Sequence, residues 1–331
     1  MTATAAASVL VAPDSFKGTF AATEVAAALG RGLRREGREA VEMPIGDGGE
    51  GTMDALLAAR GGERVEVTAD DPLGRPVAAQ FALLPGGRTA VVETAQASGL
   101  HHVGEDERDA WAASTRGTGE LIAAAAGAGA TEVIVTVGGS ATTDGGAGAI
   151  EALADADVAV ELVVVCDVRT AWEDAPRVFG PQKGADPAMV NRLERRLDDL
   201  ADAAPRDPRG VPMTGCAGGL SGAFWAHHGA ALVPGAAFVL DEVGFNATMR
   251  SSRFTVTGEG RLDEQTLAGK AVAEVATRCR QAGVACHAVV GEDRLEPFQA
   301  RVLDLASVAE ATSIAELEEA GAAIAAASRP G

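Results

Sequence analysis

Short apolar runs rich in β-branched residues alternate along this chain with stretches in which apolar positions recur every three or four residues. Val9-Leu10-Val11-Ala12 is continuously apolar and stops at Pro13, which predicts a buried strand. Val25, Leu29 and Leu33 then fall on one helical face, predicting a helix over 21–35. Val41 to Ile45 predicts a second strand, followed by Gly46-Asp47-Gly48-Gly49-Glu50-Gly51 and a helix to about Ala59. Strand, glycine loop and helix in that order is the pattern of an α/β protein.

The texture changes after Gly61-Gly62. Arg64 to Glu93 carries three short β-runs with turn signals at Asp71-Pro72-Leu73-Gly74 and Pro85-Gly86-Gly87, which predicts an antiparallel meander and a second domain starting near residue 63. A helix over 119–126 leads to a strand over 132–137, then to Gly138-Gly139-Ser140-Ala141-Thr142-Thr143-Asp144-Gly145-Gly146 and another helix. Val160 to Val165 is a strand ending at Cys166-Asp167, Asp186 to Ala204 a charged helix, and Gly215 to Gly222 a glycine-rich helix start. The first pattern returns at Phe254-Thr255-Val256-Thr257, which runs into Gly258-Glu259-Gly260-Arg261-Leu262-Asp263-Glu264-Gln265-Thr266 and a helix. His287 to Val290 and Leu303 to Val308 predict the last strands, and Ser313-Ile314-Ala315-Glu316 has capping-box form.

At 331 residues the length suits two domains, and 47% hydrophobic content is ample for their cores. A net charge of −19 argues against nucleic acid and anionic membranes as partners, but not against a small anion that meets only its local site. No run of about twenty apolar residues exists, and residues 1–8 lack the basic and apolar stretches of a signal peptide. Cys166, Cys216, Cys279 and Cys286 have no CxxC spacing and read as free thiols of a reducing cytoplasm. His101-His102, His227-His228 and His287 have no zinc spacing.

Charge changes the picture in one further way. Only three of the 28 basic residues are lysine, Lys17, Lys183 and Lys270, and each adjoins a glycine. Lysine offers a compact charge on a slim stem, and glycine lets backbone and ligand approach closely, so the pairing suits phosphate-binding loops. Acids recur in the loops that follow strands: Asp14 with Ser15, Asp47 with Glu50, Asp144 with Ser140 and Thr142, then Asp167, then Glu259 and Asp263 with Thr266. Gly46-x-Gly48-x-x-Gly51 matches the dinucleotide fingerprint in form only, because Asp47 and Glu50 would face a pyrophosphate. Acids beside phosphate loops fit Mg²⁺ lying between them. There is no GxxxxGK[ST] and no GxSxG.

At these residues the sequence resembles the type-1 glycerate kinases. The matching stretches are Ala12 to Gly18, Asp47 to Thr52, Gly138 to Gly146, Phe179 to Ala185, Ala217-Gly218-Gly219 and Thr257 to Thr266. They run in order from Val9 to Gly291. The resemblance implies ATP-dependent phosphorylation of D-glycerate, usually at the 2-hydroxyl, with Mg²⁺. It also implies a cleft between a Rossmann-like parallel-sheet domain made from both chain ends (1–62 and 236–331) and an inserted mixed α/β domain (63–235). The chain is shorter than the family pattern between Leu153 and Val163, Val168 to Trp172 replaces an Asn-Pro-Leu-Leu-Gly-like segment, and Thr143 stands where the family usually has Asn.

Together these readings give Asp47, Lys17, Asp14 and Asp167 as catalytic candidates, and Ser15, Glu50, Ser140 and Lys183 as substrate-binding ones. Gly138, Gly139, Thr142, Asp144, Glu259, Asp263, Thr266 and Lys270 are the candidates for ATP, and Asp47 and Glu50 those for Mg²⁺. For each lone acid a helix cap is the alternative role. The expected protein is cytoplasmic, with D-glycerate and ATP as partners, no nucleic acid, no membrane, and a homodimer as the assembly considered. The second functional reading is a non-catalytic regulator on the same scaffold that binds a sugar acid or nucleotide.

Overall fold

The structure, a computed structural model, describes residues 8–16, 18–267 and 269–328. Lys17 lies outside the described residues. The chain divides into two compact units: the described parts of Met1–Asp47, Asp54–Ala59 and Ala236–Gly331, and Gly48–Met53 with Arg60–Gly235. The described strands are β1 (Val9–Pro13), β2 (Ala40–Glu42), β3 (Glu63–Asp70), β4 (Pro76–Leu83), β5 (Thr89–Glu93), β6 (Glu132–Thr136), β7 (Glu161–Cys166), β8 (Ala231–Pro234), β9 (Thr255–Glu259), β10 (Cys286–Val290) and β11 (Ser307–Glu310). No helix among the described residues is long and apolar enough to cross a membrane.

The first unit holds a parallel sheet in the order β11-β10-β9-β1-β2. Both chain ends build it, because β1 pairs with β2 on one side and with β9 on the other. Every residue of β1 is buried, as expected for a parallel strand covered on both faces. The chain leaves β1 toward β2 and returns at β9 to run the opposite way, so a topological switch point falls between β1 and β9, where such sheets bind ligands.

One face of this sheet is covered by the helices Ala22–Arg35 and Ile314–Ala327, whose Val25, Leu29, Leu33, Leu317 and Ile324 join Val9, Val11 and Val256 in one core. The capping box at Ser313 forms: its side chain accepts the Glu316 N–H at 3.3 Å, and Glu316 accepts the Ser313 N–H at 3.1 Å. The two helices touch through glycine. A Cβ on Gly32 would lie 2.0 Å from the Glu318 carbonyl oxygen, and one on Gly321 would lie 2.5 Å from that of Leu29. Gly32→Val is therefore expected to force the helices apart and cost about 2–3 kcal/mol, read as a lower urea midpoint. An unchanged midpoint would show that the backbones separate freely.

The second unit holds a six-stranded mixed sheet in the order β3-β4-β5-β6-β7-β8. β3, β4 and β5 form the expected antiparallel meander, and β5 also pairs in parallel with β6, which starts a parallel half running to β8. Phe81, Leu121, Ile122, Val133, Val164, Leu220 and Phe224 fill its core.

Two strand boundaries differ from the sequence reading, and three elements are additional to it. β2 ends at Glu42 instead of continuing to Ile45, since Pro44 has no N–H to give; Met43 and Ile45 still donate to Val11 and Pro13 carbonyls at 2.8 and 3.0 Å. Leu303 closes the helix Pro297–Leu303, which Asp304 ends at a φ of 54°, so the last strand starts only at Ser307. β8 and the helices Gly235–Glu242 and Phe245–Ser251 have no counterpart in that reading.

Candidate active site

The first unit carries a pocket of about 510 Å³ at the carboxyl ends of its strands. β1 delivers Asp14, Ser15 and Phe16, and β9 delivers Glu259, Gly260 and, further on, Asp263. β10 delivers Gly291, β11 delivers Ala311 and Thr312, and the segment after β2 delivers Asp47. Lys270 lines the same pocket from the position just before the helix Ala271–Ala282. Gly258 is required for the approach of β9 to β10, since a Cβ there would lie 2.2 Å from the Val289 carbonyl oxygen.

A polar relay orders the β9 loop. The Asp263 N–H donates to Thr266 Oγ1 at 3.2 Å, and Thr266 Oγ1 donates to Glu259 Oε1 at 2.7 Å. Thr266 thus acts here through Glu259, while Glu259, Asp263 and Lys270 face the pocket. On the β1 loop the Ser15 N–H donates to Asp14 Oδ1 at 2.6 Å. Burial pushes the Glu259 carboxyl up to about 7. Nearby Asp47 and Asp263 push the same way, against the Thr266 hydrogen bond and Lys270.

A raised carboxyl opposes folding once the unfolded chain is ionised. The penalty is absent below the unfolded pKa of 4.5, grows up to about 7 and is then constant. Glu259→Gln should therefore gain on wild type by about 2 kcal/mol more at pH 8 than at pH 5, measured by denaturant unfolding in chelator. A stability difference that is flat with pH would refute this.

The second unit carries a smaller pocket, about 260 Å³, at the carboxyl ends of β6 and β7. Gly138, Gly139 and Ser140 line it after β6, Asp167 and Val168 after β7, with Glu50, Gln182 and Lys183 alongside. Gly138 cannot carry a side chain, because a Cβ would lie 2.5 Å from Gly49 Cα. The Leu100 N–H donates to the Gly139 carbonyl at 2.9 Å and holds the loop.

Lys183 is 2% exposed. Its ammonium donates to Ser140 Oγ at 3.1 Å and to the Thr142 carbonyl. Burial pulls its pKa down to about 8, although Asp144, Asp167 and Cys216 favour the charged form. A buried cation in a small pocket with a glycine loop is a ready partner for an anionic ligand.

Other candidates have different tasks. Asp144 lines neither pocket. Its carboxylate accepts Thr115 N–H and Oγ1 at 2.8 Å each, and the N–H groups of Gly146 and Gly148 at 3.1 and 3.2 Å, which anchors the start of the helix Ala147–Asp155. Thr142 is fully buried and meets Lys183 through its carbonyl, not its hydroxyl. Asp47 and Glu50, three residues apart, line different pockets in different units.

The structure adds Phe16, Phe20, Arg261 and Thr312 to the first pocket, and Leu100, Phe179, Gln182 and Ala217 to the second. Phe16, Arg261, Phe179, Gln182 and Ala217 lay inside the motif stretches, whereas Phe20, Leu100 and Thr312 had no sequence signal.

Lysines and acids on glycine loops at strand ends are the equipment of a phosphotransferase with an alcohol acceptor, since phosphoryl transfer is mostly positioning and charge neutralisation. The model of the glycerate kinase family matches residues 9–158 and 154–329. A glycerate kinase of Bacillus subtilis is 39% identical, covering 86% of this chain and 84% of that one. A glycerate 2-kinase of Escherichia coli K12 is 36% identical over 79% of each. A crystal structure assigned to glycerate kinase 2 of Salmonella typhimurium LT2 superposes with a TM-score of 0.83, 32% identity and 98% coverage of both chains. The chain belongs to the glycerate kinase family and is a kinase. The two matched segments overlap over residues 154–158.

Proposed function

We propose that this protein transfers phosphate from ATP to the 2-hydroxyl of D-glycerate, giving 2-phosphoglycerate. The observation that carries the reading is Lys183, a cation buried against Ser140 and a glycine loop in a pocket sized for a small acid. The glycerate 2-kinase relative at 36% identity supports the 2-position.

In this reading Lys183 and Ser140 bind the glycerate carboxylate, Glu50 in the same pocket contacts a hydroxyl, and Gly138 and Gly139 let the ligand approach the backbone. Asp47 takes the proton of the attacking hydroxyl, and Asp14 in the same pocket and Asp167 are the alternative candidates for that base. Lys270 and Lys17 neutralise phosphate oxygens, and Glu259 and Asp263 shape the nucleotide side.

Mg²⁺ prefers oxygen ligands and keeps one or two carboxylates plus phosphates, so it needs no closed protein cage. The first pocket is lined by Asp14, Asp47, Glu259 and Asp263, and Asp47 and Asp263 raise Glu259 by their like charge; among the described residues no three acids converge as a closed metal site, so one or two of these carboxylates with phosphate oxygens would have to serve. Asp47 would hold it there, whereas Glu50, which lines the other pocket, is not part of this donor set. Bound Mg²⁺ would draw charge from the transferring phosphate. The proposed enzyme is cytoplasmic and binds no nucleic acid.

The test is coupled ADP release across small hydroxy acids, with Mg²⁺ and folded protein, and NMR identification of the product. D-glycerate should give the largest stimulation and 2-phosphoglycerate the product. No glycerate-stimulated release would sink the reading, and 3-phosphoglycerate would overturn its regiochemistry.

A further inference from the structure

The turn that carries Lys183 is seated outside the main core of the second unit. Within it, the Lys183 N–H donates to the Gly180 carbonyl at 2.9 Å, and the Gly184 N–H to that of Pro181 at 3.2 Å. These bonds fix the shape of the turn, not its place. Its seat is a small cluster of Ala110, Ala185 and Leu193, with Met189 and Val190 packed against it, separate from the large core of the mixed sheet. Ala185 follows the turn and Leu193 lies on the helix Pro187–Ala203, so Ala110 is the member that comes from a distant part of the chain.

Arg108, two residues before Ala110, meets the turn on both sides of Lys183. Its Nη1 donates to the Gln182 carbonyl at 3.4 Å. Gly184 packs against it from the other side: a Cβ there would lie 2.7 Å from the Arg108 carbonyl oxygen and 2.9 Å from the Arg108 Cβ. The other contacts of the guanidinium do not explain where it sits. Its ion pair with Glu105 is long, 3.8 Å, and the Glu105 side chain is 87% exposed, so the pair contributes little. Among the described residues its buried Nε has no hydrogen-bond partner, which costs free energy. The position of the guanidinium is accounted for by the turn it grips and not by its own hydrogen bonding.

We propose that Arg108 is a positioning residue: by holding the Gln182 carbonyl it keeps the Lys183 ammonium enclosed against Ser140 Oγ and the Thr142 carbonyl. The proposal rests on the reading of Lys183 as the partner of the glycerate carboxylate. Around the ammonium stand Ser140, Thr142 and Asp144 from the loop after β6, Asp167 after β7, Cys216, and the Phe179 ring at 5.9 Å. Glu50 lines the same pocket. Asp144, Asp167 and Cys216 favour the charged form, so burial is what brings the Lys183 titration down to about 8. A turn released from Arg108 admits water, and the ammonium then titrates higher.

The test uses the scarcity of lysine. With ¹³C at Cε, Lys17, Lys183 and Lys270 give one NMR signal each, and Lys183→Met identifies the one from Lys183. In the free wild-type protein that signal should titrate near 8. In Arg108→Met and Arg108→Gln its midpoint should rise by about one pH unit or more. Arg108→Lys keeps a charge and a donor for Gln182, and should stay within about half a pH unit of wild type. Two neutral variants are made so that a loss of folding in one, seen in its melting temperature, leaves the other. Amide hydrogen exchange across residues 180–185 should speed by about fivefold or more in the neutral variants and not in Arg108→Lys. With D-glycerate at about pH 7, the neutral variants should raise KM about fivefold or more and keep kcat within about threefold. An unchanged midpoint in the neutral variants, or a wild-type midpoint at the ordinary lysine value, would overturn the proposal. A raised midpoint with unchanged exchange would overturn it in favour of simple loss of charge repulsion. The titration and the exchange need neither ATP nor glycerate, so they decide the placing of Lys183 even if absent glycerate-stimulated turnover sinks the kinase reading.

Discussion

Lys183→Met is expected to lower kcat/KM for D-glycerate by roughly a hundredfold or more, mainly through KM. Methionine keeps the unbranched stem and removes the charge. Lys183 is 2% exposed, so solvent cannot replace its interaction with an anion. Removing one partner of a buried charge pair costs about 2–5 kcal/mol, and 2.7 kcal/mol is about a hundredfold. The pH profile gives an independent signature. The ammonium titrates near 8 in the free protein, so kcat/KM should fall as pH rises through about 8, and that limb should vanish from the residual activity of the variant. Arginine is not expected to rescue, because its broad planar fork replaces a slim stem already enclosed by Ser140 and the Thr142 carbonyl. A kcat/KM within about threefold of wild type would place glycerate elsewhere.

Asp47→Asn is the second large effect, a fall in kcat of roughly a hundredfold or more, the usual scale for a lost acid–base group. The side chain is 4% exposed and lines the same pocket as Asp14, Glu259 and Lys270, so asparagine keeps its shape and removes its charge where charge matters. The Glu259 carboxyl, pushed upward partly by Asp47, should then titrate lower, shifting the acid limb of the pH profile down. If excess Mg²⁺ restores the rate, Asp47 is a metal ligand and not the base. A kcat within about threefold of wild type would leave Asp47 a structural acid and move the search for the base to Asp14 or Asp167.

Much of the fold was legible because its signals are local. A continuous apolar run ending at Pro13, four-residue spacing from Val25 to Leu33 and a capping box at Ser313 each report their own backbone. What failed had no local signal or a misleading one. Leu303, Leu305, Ala306 and Val308 make the run from Leu303 to Val308 look like one strand, but the turn at Asp304 divides it between a helix and a strand. The short β8 is defined by pairing with β7, which no window around Ala231–Pro234 contains.

For the candidate site, the residue types were readable and their duties were not. Glycine, acid and lysine in loops after strands marked Asp14, Asp47, Lys183, Glu259 and Lys270 as pocket-lining groups. The same pattern also marked Asp144, whose hydrogen bonds go to a helix start and to Thr115, because a carboxylate near a helix N-terminus looks alike whether it faces a ligand or the backbone. By itself the sequence determined an α/β chain with glycine, acid and lysine gathered in the loops after its strands, since those follow from periodicity and short motifs, while the kinase expectation rested on the family resemblance of those stretches. Only the tertiary structure decided that Asp47 and Glu50 serve different pockets, that Lys183 is buried deeply enough to titrate near 8, and that Arg108 meets the Gln182 carbonyl beside it. Desolvation, like-charge proximity and cavity shape depend on residues distant in the chain being packed together, and no local window carries that information.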